Sequence, residues 1–311
     1  MRSFLTCIEL EEREKHVSVL RNEVVEWLNV GSGGVYVDGT LGAGGHAEAL
    51  LQASEPDGII IGVDQDDSAI KIAEERLKKF SSRLQLIHGS FAQLVQCVQS
   101  IGINAVNGIV LDLGVSSMQL GDPARGFSFQ SEGPLDMRMD QRIPRMASHV
   151  VNDSSELELA RIFREYGEER YARRIARGIA QCRVGRPILT TSALKDIIRL
   201  SVPLSYRSGR LHCATRVFQS LRIAVNAELD VLLRGIQQAV LLLAPGGRLG
   251  VITFHSLEDR IVKQSFLSMA RSAQPTVVRL FKKPIRPSEK EQHDNRRSRS
   301  AKFRVVEKSL L

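Results

Sequence analysis

Val35-Tyr36-Val37-Asp38-Gly39-Thr40-Leu41-Gly42-Ala43-Gly44-Gly45-His46 holds a strand, a turn and a helix start in one short run. Val35 to Val37 are β-branched and aromatic. They are bounded by Gly31-Ser32-Gly33-Gly34 upstream and by more glycines downstream, the pattern of a short buried strand. The glycines let the backbone come close to a ligand and aim free N–H groups at it as a helix opens. The spacing Gly42-x-Gly44-Gly45 is not the dinucleotide pattern Gly-x-Gly-x-x-Gly, and Asp38 stands at the strand end immediately before it. A carboxylate there repels a pyrophosphate but favours the sulfonium and ammonium of S-adenosylmethionine. An ordinary glycine turn is the competing reading of this loop taken alone.

Working outward, residues 45 to 53 read as a helix, and Ile59 to Val63 as a second strand ending on Asp64. A Rossmann-type unit places an acid there for ribose hydroxyls. A lone aspartate after a strand also serves as a helix N-cap, but two of them around a glycine loop favour an adenosine site. A helix over 67–80, a strand Leu84 to His88, a helix ending near Ile101 and a strand Val106 to Leu111 continue the alternation. This predicts an α/β fold with a mainly parallel sheet, helices on both faces, and ligands beyond the carboxyl ends of the strands. Phe91 lies at such an end, either against an adenine ring or in the core. The fourth strand delivers Asp112-Leu-Gly-Val-Ser-Ser-Met-Gln119, which the fold sets beside the glycine loop. Asp112 is therefore the catalytic candidate, with a turn cap as the alternative.

Residues 1 to 15 read as a polar lead-in, followed from His16 by an amphipathic helix carrying Leu20, Val24, Trp27 and Leu28, with Trp27 in the core. Beyond Gln119, residues 125–140 form a long irregular tract with aromatics, including Phe127 and Phe129. A mostly helical stretch over 154–200 then interrupts the alternation, which predicts a helical domain inserted over 137–213 between 1–136 and 214–311. Arg170, Arg173, Arg174 and Arg177 recur within it at helical spacing, giving one basic face. A long helix over 214–243, the turn Ala244-Pro-Gly-Gly247, a strand Leu249 to Phe254 and a late strand Phe303 to Val306 complete the pattern. His255-Ser256 lacks the Gly-x-Ser-x-Gly surroundings of a hydrolase nucleophile.

With 311 residues, 43% hydrophobic and 25% charged, the chain can bury one large core and a smaller one. No apolar run reaches the length of a membrane span and no signal-peptide core precedes Glu9-Leu-Glu-Glu12, so the cytoplasm is expected and no membrane partner. Cys7, Cys97, Cys182 and Cys213 form no Cys-x-x-Cys pair, so reduced thiols and no metal site are expected. The net charge is +8, and its distribution is uneven. Residues 279–311 hold eleven Lys/Arg against four Asp/Glu, and residues 160–216 thirteen against four. Two basic segments on an otherwise acidic chain fit a polyanionic substrate such as nucleic acid, and a solvated face is the bland reading of either one alone.

Asp38-Gly-Thr-Leu-Gly-Ala-Gly-Gly-His46, Gly62-Val-Asp-Gln-Asp66, Asp112-Leu-Gly-Val-Ser-Ser117, Arg125-Gly-Phe-Ser-Phe129, Gly133-Pro-Leu-Asp-Met-Arg-Met-Asp140, Tyr166-Gly-Glu-Glu-Arg170, Ala244-Pro-Gly-Gly-Arg248 and Phe254-His-Ser-Leu-Glu-Asp-Arg260 together resemble the bacterial 16S ribosomal RNA (cytosine-N4)-methyltransferases, the RsmH (MraW) family. The likeness runs from about His16 to Lys308. It implies a class I S-adenosylmethionine-dependent methyltransferase, Rossmann-like, with an inserted helical substrate-recognition domain. The implied substrate is the exocyclic amine of a cytidine in the decoding region of 16S rRNA within the small ribosomal subunit. The donor site it implies comprises Gly44, Gly45, His46, Asp64, Phe91, Asp112 and Gln119, beside Asp38 from the loop argument. Many amino-group methyltransferases carry Pro-Pro-aromatic after the acid, where Leu113-Gly114-Val115 stands here, so Phe127 and Phe129 become the candidates for stacking on the base. A methyltransferase acting on another nitrogen, or an assembly factor with a vestigial pocket, are the competing classes. Monomer and homodimer both stay open.

Overall fold

Residues 18–209 and 211–310 are described by the computed structural model; the lead-in expected over residues 1 to 15, with Cys7, lies outside them. The chain divides into two compact units, Met1–Gly114 with Val231–Leu311, and Val115–Asp230.

The first unit is built on a seven-stranded sheet of β1 (Val35–Asp38), β2 (Ile59–Asp64), β3 (Leu84–His88), β4 (Val106–Asp112), β5 (Leu243–Thr253), β6 (Val277–Arg279) and β7 (Lys302–Lys308), in the order β3-β2-β1-β4-β5-β7-β6. β3 to β5 in that order run parallel, and β7 lies antiparallel to both of its neighbours. The chain fills the sheet outward from β1 in one direction and from β4 in the other, so a crevice forms where these two strands end. Ile59-Ile-Ile-Gly-Val63 is apolar throughout because both sheet faces are covered. Val37, Ile61 and Leu111 point into one core cluster, and Tyr36, Ile60 and Val110 into the other, the two-residue period of a pleated strand. Trp27 packs edge-on against Phe281, with centroids 5.0 Å apart, at the second cluster. The late strand does complete the sheet, and β6, only three residues long, had no pattern to announce it.

The helix expected over 214–243 is two helices, Thr215–Asn226 and Glu228–Leu242, separated by Ala227 in the left-handed conformation at φ 48°. Local bonds favour the break. Arg222 clasps Glu228 across it at 2.7 and 2.8 Å, while the Asn226 amide binds the chain at Met137 and Met139. β5 starts at Leu243 rather than Leu249, taking in the Ala244-Pro-Gly-Gly247 turn with a register shift against Val106 and Gly108.

The second unit is wider at both ends than the insert expected over 137–213. Phe127 and Leu135 before that range, and Val217, Phe218 and Leu221 after it, share one core with Phe163, Ile175 and Ile198. Its irregular tract is tightly bonded. Arg125 Nη2 donates to the carbonyls of Arg138 and Met139, and the Arg138 guanidinium grips Asp136 through Nε and Nη2 at 2.8 Å each.

Candidate active site

The loop between β1 and the helix Gly45–Ala53 is shaped by its own backbone. Gly44, the N-cap of that helix, has φ 79°, and a Cβ there would sit 2.9 Å from Leu77 Cδ1. Among the described residues the amides of Gly45 and His46 donate no hydrogen bond, so two N–H groups remain open at the helix start. Three aspartates close the strands around this loop. Asp38 ends β1, Asp64 ends β2 and Asp112 ends β4.

Asp38 is wholly buried, and its two oxygens accept the amides of Thr40 at 3.2 Å and Ala47 at 3.1 Å. Expected to favour a donor cation, it shows that cation no surface and acts only through its charge from beneath the loop. Burial pushes its carboxyl up from 3.8 to about 6, against the pull of His46 and the Thr40 amide. Asp64 accepts from Gly42 N at 2.7 Å and Asp66 N at 2.9 Å, pinning the glycine loop to the end of β2. It also is pushed up by burial, with the amides of Asp66 and Gly42 pulling the other way. A third amide, from Gln65, also acts on it, and a carboxylate's roughly four acceptor sites leave room for a ribose hydroxyl. The Asp112 side chain keeps 24% of its surface, its amide donates to Thr40 Oγ1 at 2.6 Å, and its Oδ1 is buried without a partner among the described residues.

His46 sits in the first turn of the helix with its ring buried. Its Nε2 lies 3.4 Å from Asp112 Oδ2, too long for a good hydrogen bond and within ion-pair range, and neither ring nitrogen has a hydrogen-bond partner. Burial disfavours the charged ring, but Asp112 and Asp38 outweigh it and hold His46 above its usual 6.5. The sequence placed His46 only at the donor; its pairing with Asp112 was not anticipated, although Thr40 and His46 flanking the same glycines were the available signal.

Phe91 is half-buried, its ring lying over Gly235, whose missing Cβ makes the room. It is thus packed on the core of its unit and keeps part of its surface. Gln119 belongs to the other unit, where its amide and side-chain oxygen form a capping box with Ser116 at 3.1 Å each. His255 is likewise a cap: it opens the helix Ser256–Arg271 and faces Glu258 Oε1 at 3.0 Å. Asn226, the other polar group available as an acceptor, spends its oxygen on Met139 N and its NH2 on Met137 O and Arg222 O.

In the second unit, Phe127 is core, and Phe129 gives one face to His212, stacked at 4.7 Å, and meets Phe218 edge-on. A second aromatic group, half-buried, lies elsewhere. Tyr171 and Tyr206 meet edge-on at 4.8 Å, with the Arg170 guanidinium 4.7 Å from the Tyr171 ring and Arg174 at 5.9 Å. Tyr206 is tied to buried Glu169 at 2.8 Å, which with burial pushes its phenol up to about 12. Arg173 and Arg177 stand exposed beside this cluster on the helix Ala172–Gly185. The basic tail is different in kind. Lys302 and Arg304 both bind Asp259, at 2.8 and 2.7 Å, Lys308 caps the carbonyls of Leu241 and Leu243, and Arg297 is half-buried. Part of the tail's charge therefore holds β7 in place, while Lys282, Lys283, Arg286, Lys290, Arg296 and Arg299 stand exposed.

Comparison with known proteins agrees with this architecture. The profile of the MraW methylase family matches residues 13–309. The chain is 49% identical to Ribosomal RNA small subunit methyltransferase H of Syntrophotalea carbinolica, over 94% of this chain and 97% of that one. It is 50% identical to the protein of the same name from Citrifermentans bemidjiense, over 94% and 98%. Among solved structures, an rRNA methylase from Streptococcus thermophilus superposes with a TM-score of 0.43 at 11% identity over 93% of each chain, a likeness too distant to argue from.

Proposed function

The chain belongs to the MraW methylase family, and on that premise we propose that it transfers a methyl group from S-adenosylmethionine to the exocyclic N4 of a cytidine in 16S ribosomal RNA of the small subunit. The observation that carries the chemistry is Asp112 at the end of β4, bonded through its amide to the glycine loop, with 24% of its side-chain surface open. The donor fits this unit: open amides at Gly45 and His46, the acid Asp64 for ribose, and the partly exposed ring of Phe91. Gly44, Gly45, Asp64, Phe91 and Asp112 would hold it. When bound, the donor supplies an electrophilic methyl carbon on a sulfonium.

Asp112 does the rest. A cytosine amine is a poor nucleophile because its lone pair is delocalised into the ring, so N4 must rehybridise while an acceptor holds its hydrogen. The Asp112 carboxylate accepts that N–H, stabilises positive charge growing on N4, and takes the proton once it becomes acidic. No base with a raised affinity for protons is needed. The geometry demands an unstacked base, so the target is single-stranded or flipped. The Arg170, Tyr171, Arg174 and Tyr206 cluster, with exposed Arg173 and Arg177, is the surface suited to RNA: guanidinium groups for phosphates and aromatic rings for unpaired bases. An rRNA substrate also puts the reaction in the cytoplasm. No helix among the described residues is long and apolar enough to cross a membrane.

The test is mass spectrometry of nucleosides after incubating ribosomal RNA or small subunits with the protein and isotopically labelled donor. Labelled N4-methylcytidine is expected. Its absence, under conditions in which calorimetry shows the donor bound, sinks the proposal; a different methylated nucleoside redirects it to another nitrogen.

A further inference from the structure

His46 carries chemistry that the methyl transfer as described leaves unused. Its ring is buried in the first turn of Gly45–Ala53, and among the described residues neither Nδ1 nor Nε2 has a hydrogen-bond partner. A neutral imidazole so placed forfeits a bond at each nitrogen, a cost that a structural residue avoids. Here the ring stands 3.4 Å from Asp112 Oδ2 instead. Asp112 Oδ1 is buried without a partner, so an incoming amine meets the carboxyl from its Oδ2 side, the side that His46 addresses.

We propose that His46 is a positioning residue that acts through Asp112, its buried ring beside Oδ2 fixing the orientation of the carboxylate that receives the amine's proton. This rests on the reading of Asp112 given above. Excluding water makes an isolated carboxylate costly, and a cation behind it offsets that cost without touching the reacting group. The charges facing the pair come from several elements. Asp38 at the end of β1 and Asp112 at the end of β4 favour the imidazolium, and Arg21 of the helix Arg21–Trp27 opposes it. Glu291 of the helix Glu289–Asp294 is within electrostatic reach of His46, and Arg297 within reach of Asp112. The amine's proton passes to Asp112 and then to water. His46 contributes orientation and takes part in no bond change.

His46→Gln keeps a polar group of similar reach without charge, and His46→Ala removes both. Turnover at saturating donor should fall about tenfold in the alanine variant and less in the glutamine variant, with the donor dissociation constant within about threefold of wild type. Donor affinity lost in step with turnover would make His46 a donor contact, and unchanged turnover in both variants would make it a packing residue; either result overturns the proposal. A second arm needs no RNA and no His46 variant. Imidazole 15N NMR of the full chain should show His46 titrating above 6.5, and falling by about one pH unit in Asp112→Asn. An unchanged titration overturns the pairing. If the shift is seen while no RNA is methylated, the pairing stands and the functional reading fails.

Discussion

Asp38 and Asp136 each hold a loop by accepting backbone amides, Thr40 and Ala47 in one unit and Arg138 in the other. Asp136 also takes the Arg138 guanidinium in two bonds, which overcome its burial and hold it below its usual range. Asp38 has no such partner. It shares the influence of His46 with Asp112, and burial leaves it near 6. The same contrast extends to their neighbours: Asp64 is also pushed up, whereas Asp140 is clasped by Arg142 and Glu158 by Arg161. The sheet unit thus gathers three acids at its strand ends with no Lys or Arg bonded to them among the described residues and one histidine beside Asp112, while the helical unit clasps Asp136, Asp140 and Glu158 with arginines and presents others outward.

The largest expected effects separate the two kinds of acid. Asp112→Ala should lower turnover at saturating donor by roughly 10²-fold, the range for a lost proton acceptor, with little change in the urea midpoint. Asp136→Ala should do the reverse, costing about 2–3 kcal/mol of stability because Arg138 and its amide lose a charged acceptor, with donor affinity intact. Equal behaviour of the two variants in both assays would dissolve the contrast.

Next in size is Asp64→Ala. Losing an anionic acceptor for ribose, and with it the tie to Gly42, should weaken donor binding by about 1.5–3 kcal/mol, roughly tenfold or more by calorimetry. Unchanged affinity would make Asp64 a loop pin only.

The titrations themselves sharpen the comparison. Carboxyl 13C NMR of the ligand-free chain should find Asp38 near 6 and Asp136 below 3.8. The signs oppose. Asp38, raised on folding, contributes stability that is full below 3.8 and lost as pH rises to about 6, worth about 3 kcal/mol at about 1.4 kcal/mol per tenfold step. Asp136, lowered on folding, contributes stability present above 3.8 and lost as pH falls through its folded value. Coincident titrations would contradict this.

How much of this could be read beforehand follows from how local each signal is. β1, the glycine loop and the acids ending β2 and β4 were legible because apolar runs, glycines and strand-end aspartates are neighbours in sequence. The split at Ala227 was not: residues 214–243 carry an unbroken helical pattern, and what favours the break is Asn226 binding Met137 and Met139, far away in the chain. The His46 and Asp112 pair and the edge-on contact of Tyr171 with Tyr206 are likewise contacts between distant residues. The tail shows the same limit. Its charge was visible, but its partners Asp259 and the carbonyls of Leu241 and Leu243 were not.

The smallest effect tests whether the outward arginines do what the internal ones cannot. Arg173 and Arg177 are exposed, and Arg177 has only Glu156, 3.6 Å away on the surface, so their charges are available to phosphates. Arg170 and Arg174 are poorer choices for a test, since both lie over the Tyr171 ring and their loss also disturbs packing. Reversing Arg173 and Arg177 to Glu should weaken RNA binding several-fold at moderate salt. It should also flatten the slope of log affinity against log salt by about 1 to 2, since each lost phosphate contact on a single strand removes about 0.7. Donor affinity and the urea midpoint should not move, because neither residue contributes to a buried contact. If RNA affinity and its salt slope both survive the reversal, this face is merely solvated, and the surplus positive charge of the helical unit has no bearing on substrate.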